Sequence, residues 1–89
     1  MRKAYERTMP SLVRSPKLLG EALRRARRAA GPTKTELGQR TNRRQATISG
    51  LENGEGATLD TVFAVLTVLK LDLEFAGRND TAPALDHLF

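Results

Sequence analysis

Apolar positions recur at spacings of three and four through the middle of this chain and switch to every second position near its end. In "SPKLLGEALRRARRAAG", Leu19, Ala22, Leu23, Ala26 and Ala30 fall on one stripe, the arrangement an α-helix buries. Ser15 suits the N-cap, Pro16 the first helical position and Gly31 the stop, so a first helix is predicted between them. Glu21 is expected to pair with Arg25 one turn on. "TKTE" at 33–36 matches a capping box and opens a second, short helix running through Leu37 and Gln39 to about Thr41. Gly38 inside that helix costs roughly 1 kcal/mol against Ala, which implies that another backbone comes close. Asn42 tolerates the left-handed conformation, so "TNR" reads as a tight turn between two helices.

A third helix is predicted from about Gln45 to Asn53, closed by Gly54. At about 100° per residue, Ile48 and Leu51 define its buried side, while Ala46, Ser49 and Gly50 lie opposite with Gln45 and Thr47 at the flanks. No charge occurs between Gln45 and Leu51, although Arg43 and Arg44 immediately precede. Solvated helix faces usually carry Lys and Glu. A small, hydrogen-bonding face instead lets the helix backbone approach a surface that it reads. "GEGA" is a loop, and Thr58 caps a fourth helix whose expected core face is Leu59, Val62, Phe63, Leu66 and Leu69. Beyond it, Leu71, Leu73 and Phe75 alternate with Asp72 and Glu74, the pattern of a half-buried strand. No comparable second strand exists in the sequence, so this one is expected to pair with its own copy in a homodimer; the alternative is an extended tail against helix four. The organisation is therefore all-α plus one C-terminal strand: an arm over 1–14, a domain over 15–76 and a flexible tail over 77–89.

The length of 89 residues is near the lower limit for a single self-sufficient core, which favours dimerisation. With no cysteine there can be neither disulfides nor thiolate metal sites, in keeping with a reducing cytosol. The longest apolar-dominated run, Val62 to Leu71, is broken by Thr67 and Lys70 and falls far short of the ~20 residues of a membrane span. The basic N-terminus is not followed by the apolar segment of a secretory signal. Charge is the informative quantity. Residues 1–45 hold thirteen Lys/Arg against three Glu, whereas residues 46–89 hold two against seven Asp/Glu. The basic half fits a polyanion, because each cation at a phosphate releases condensed counterions. Catalysis is poorly supported: His87 is the sole histidine and has only Asp86 near it in sequence. Glu52, Glu55 and Asp60 read as pairing, loop and cap residues, and no metal or cofactor is expected.

The run "GPTKTELGQRTNRRQATISGLENG" resembles the helix-turn-helix of phage-repressor-type (Cro/CI, XRE) regulators, a likeness that extends over about residues 17–71. The "SP" start, "QATIS", "TLDTVFAVLTVLKLDLEF" and a polar tail ending in an aromatic are similar to HipB-type antitoxins. The resemblance implies a cytoplasmic, nucleoid-associated prokaryotic repressor that binds a palindromic DNA operator as a homodimer and neutralises a HipA-type serine/threonine kinase toxin. A stand-alone or phage-type repressor without a toxin is the alternative. Carried onto this sequence, the base-reading residues are Arg44, Gln45, Ala46 and Ser49, and the phosphate contacts are Thr33, Lys34, Arg43, Thr47 and Asn53. Glu52 is expected to pair with Arg27, and Phe89 maps to toxin contact. Four positions depart from the family pattern: Lys34 replaces Gln, Asn42 replaces Gly, and Arg43 and Thr41 stand where apolar residues are usual.

Overall fold

The computed structural model describes residues 11–78, which form four helices in the order α1 (Pro16–Ala30), α2 (Lys34–Thr41), α3 (Gln45–Glu52) and α4 (Leu59–Leu69). The ends of α1, α2 and α4 have local causes. Ser15 caps α1 by accepting from the Leu18 amide, and Gly31 ends it at φ 113°. Thr33 and Glu36 complete the capping box of α2: the Thr33 hydroxyl accepts from the Glu36 amide at 3.0 Å, and the Glu36 carboxylate accepts from the Thr33 amide at 2.8 Å. That backbone hydrogen bond holds the Glu36 carboxyl below its ordinary value. Asn42 adopts the left-handed conformation (φ 58°) that turns α2 into α3. Thr58 caps α4, and Lys70 turns the chain out of it, also left-handed at φ 60°.

The core is one cluster of Leu23 from α1, Leu37 from α2, Ile48 and Leu51 from α3, and Val62, Val65, Leu66 and Leu69 from α4. Burying each such side chain contributes about 1.5–3 kcal/mol, so few residues carry the domain. α4 differs from its expected face. Leu59 and Phe63 are exposed, at 73% and 48%, and Val65 is buried in their place. Apolar residues occupy more than half of this helix's circumference, so periodicity alone cannot choose the arc that meets the core. α1 differs more mildly: Leu23 is buried, Leu19, Ala22 and Ala26 are half-buried, and Ala30 is exposed. Glu21 lies 3.8 Å from Lys17, one turn before it, rather than pairing with Arg25.

Residues 71–78 continue without helix or strand. The alternation that predicts a strand leaves Leu71 half-buried against the core, but Leu73 and Phe75 exposed, at 49% and 93%. A strand needs a hydrogen-bonded neighbour, and the single chain supplies none among the described residues. Most of the expected arm and tail, with His87 and Phe89, lies outside the described residues.

Candidate nucleic-acid interface

Two close backbone approaches fix the motif. A Cβ added at Gly38 would lie 2.7 Å from the Arg43 carbonyl oxygen, so α2 and the start of α3 touch backbone to backbone, as the glycine implied. A Cβ at Gly20 would collide with the carbonyl oxygens of Leu51 and Glu52. Gly20 therefore seats α1 on the end of α3, a role not anticipated from the sequence. Its signal was the same as that of Gly38: a glycine in the interior of a helix, where it is costly unless something comes near.

The end of α3 is also held by charge. Arg27 Nε donates to Glu52 Oε2 at 2.6 Å and a terminal nitrogen donates to Oε1 at 3.2 Å, while the other donates to the Pro32 carbonyl at 3.1 Å. Both side chains are almost wholly enclosed. The pair thus clamps α1, the α1–α2 loop and α3 together.

With its inner side fixed by Ile48, Leu51 and Glu52, α3 turns Gln45 and Ala46 fully outward, with Thr47, Ser49 and Gly50 half-exposed beside them. Arg44 is the exposed residue at the N-cap, and its guanidinium has no hydrogen-bond or ion-pair partner among the described residues. Asn53 is exposed at the opposite end. At the neighbouring start of α2, Thr33 is exposed and Lys34 half-buried. Arg44, Gln45, Ala46 and Ser49 therefore share the outer side of one short helix, with Thr33 and Lys34 on the helix packed against it.

Arg43 is placed differently from the sequence expectation. It is half-buried, its Nε donates to Thr61 Oγ1 at 2.9 Å, and Nη1 donates to the Thr41 carbonyl at 2.7 Å. The guanidinium thus turns toward α4, whereas the sequence expectation has it facing a phosphate. Thr41, another departure from the apolar pattern, is buried with its hydroxyl donating to the carbonyls of Leu37 and Gly38. Thr61, which receives Arg43, was not anticipated, because a Thr among apolar residues gives no pairing signal of its own.

An open cleft between the start of α1 and the start of α4 is lined by Val13, Pro16, Leu19, Leu51, Leu59 and Val62, among other residues, none of them charged. It offers nothing for acid, base or metal chemistry. Among the described residues no acidic or histidine cluster could hold a metal, and no helix is long and apolar enough to cross a membrane.

The Helix-turn-helix domain family matches residues 18–75. Antitoxin HipB of Escherichia coli K12 is 34% identical over 70 residues, spanning 78% of this chain and 80% of that protein. Its counterpart in Escherichia coli O6:H1 is 33% identical over 78% of this chain and 74% of that protein. Among solved structures, a HipB variant in complex with an O2 20mer superimposes with a TM-score of 0.71 at 33% identity, covering 78% of this chain and 97% of that one. A HipA–HipB–O2–O3 complex gives 0.68 at 34% identity, covering 74% and 94%.

Proposed function

The chain belongs to the HipB type of helix-turn-helix proteins, a DNA-binding and non-enzymatic family, and from this premise we propose that it is a repressor and antitoxin. It binds a palindromic operator as a homodimer in a prokaryotic cytoplasm and neutralises a HipA-type serine/threonine kinase. The observation that carries the DNA-reading part is the outward side of α3, small and uncharged, behind the unengaged Arg44. Such a face admits the helix into a major groove, where Arg44 can offer two donors to a guanine and Gln45 can pair with an adenine. Ala46 suits a thymine methyl, and Ser49 completes the base-reading set. Thr33, Lys34, Thr47 and Asn53 contact phosphate and fix the register without reading sequence.

The dimer is supported by what the single chain leaves uncovered. Leu59 and Phe63 on α4 and Leu73 and Phe75 beyond it are large apolar side chains in water. A second copy that pairs residues 71–75 strand to strand would satisfy their backbone and cover this surface. The kinase partner is supported by the HipB relatives and by the HipA–HipB complex among the similar structures; Phe89 is assigned to that contact.

The test is selection of bound duplexes from a random pool, followed by co-expression with any kinase encoded beside this gene. An enriched palindrome together with a co-purifying, inhibited kinase is the expected result. Enrichment without a kinase partner would reduce the protein to a stand-alone repressor, and no enrichment would contradict the operator.

A further inference from the structure

Arg43 and its partners form a hydrogen-bonded network that crosses three elements. The Thr41 carbonyl at the end of α2 is one of the acceptors a helix terminus leaves without an intrahelical donor, and Arg43 Nη1 fills it at 2.7 Å. Arg43 Nε reaches Thr61 Oγ1 in the first turn of α4. The Thr58 hydroxyl, the cap of α4, donates to that same oxygen at 3.1 Å while accepting from the Thr61 amide at 3.2 Å. Thr61 itself is only 4% exposed. Arg43 thus joins the turn of the motif to the cap of the fourth helix through directional bonds, in a place where the apolar residue usual in the family would give non-directional packing.

The residues next along the chain are Arg44 and Gln45. From Arg43 the backbone passes directly to the N-cap and first residue of α3, and the Arg43 carbonyl is the atom pressed against Gly38. Whatever fixes Arg43 fixes the angle at which these two side chains leave the domain. We infer that Arg43 is a positioning residue for base recognition, acting through Thr61 and Thr41 on Arg44 and Gln45, and not a phosphate contact. The inference rests on the DNA-reading role proposed above.

The two roles give opposite signatures. A phosphate contact supports binding to all sequences and contributes about one to the salt slope per subunit. A positioning residue affects only the sequence-dependent part of affinity. Arg43→Met removes the donors and keeps the stem; Thr61→Val removes the acceptor with little change of shape and tests the network without touching the arginine. Binding of each variant, and of the double variant, is measured across salt on a duplex selected by the parent and on an unrelated duplex. The expected result for Arg43→Met is a loss of tenfold or more on the selected duplex, unchanged binding to the unrelated duplex and an unchanged salt slope. Base preference flattens at the positions read by Arg44 and Gln45, Thr61→Val moves the same way, and the double variant is no worse than Arg43→Met alone. A reduced salt slope with base preference intact would make Arg43 a phosphate contact and overturn the inference. A lowered melting temperature with an unchanged ratio between the two duplexes would leave only a structural strut, and also overturns it. If the parent shows no preference between duplexes, the DNA-reading role itself fails and the inference falls with it.

Discussion

Arg27 and Arg43 both turn into this small domain, one to a carboxylate and the other to neutral oxygens, at opposite ends of the same short helix. Arg27 meets Glu52 at the C-terminal end of α3 in an almost closed environment, where each charge is compensated by the other. Arg43 meets Thr61 and Thr41 at the N-terminal end, half-buried and without a counter-charge. The first joint is an all-or-nothing clamp, because a lone charge in that space would be strongly disfavoured. The second is an adjustable brace, since water can replace part of what it loses. Stability is therefore concentrated where α3 ends, and orientation where it begins.

Breaking the clamp tests this contrast most severely. Arg27→Met leaves Glu52 buried without a partner and is expected to destabilise the fold by about 3–5 kcal/mol, measured by denaturant unfolding. Adding Glu52→Leu should recover most of the loss, because replacing both partners with apolar residues removes the stranded charge. A single variant as stable as the parent would show that the clamp carries no stability.

A smaller effect is expected at the brace end. Gly38→Ala forces a methyl group against the Arg43 carbonyl and is expected to cost about 1–3 kcal/mol as overpacking, outweighing the gain in helix propensity. Because the displaced atom belongs to Arg43, DNA preference should flatten along with the loss of stability. A stabilised Gly38→Ala protein would mean that the two backbones can part freely.

Thr33→Ala should be milder, about 1 kcal/mol, as for other N-caps. The capping box also has a pH signature. Glu36 has its folded pKa lowered by the Thr33 backbone bond, so its contribution is fully present above the ordinary carboxylate value and is lost as pH falls through the lowered one. Thr33→Ala keeps the amide that binds the carboxylate, so the signature belongs to Glu36→Ala, whose difference from the parent in thermal melts should shrink on acidification through that window. A difference that grew there would contradict the capping box.

These contrasts explain which parts of the molecule are legible in its sequence. Caps and turns are local: Ser15, the "TKTE" box, Asn42 and Thr58 each identify a boundary by their own chemistry, and the four helices follow. The outward side of α3 was legible, because Ile48 and Leu51 on the opposite side of the helix fix which residues face away from the core. The exposed arc of α4 was not, because its apolar residues cover too much of the helix for periodicity to select a face. The inward bonds of Arg43 were not legible, because its partner, Thr61, lies eighteen residues away and gives no pairing signal of its own. The alternation at 71–75 forms no strand among the described residues, because a pattern of alternation cannot supply the hydrogen-bonded neighbour that a strand needs.

The most direct measurement is titration of Arg44→Ala and Lys34→Ala against a panel of single-base variants of the selected operator at several salt concentrations. If α3 reads the groove and α2 grips the backbone, Arg44→Ala relaxes preference at one base pair per half-site. Lys34→Ala then weakens all sequences alike and lowers the salt slope by about one per subunit. An Arg44→Ala protein that retained every base preference of the parent would contradict the account.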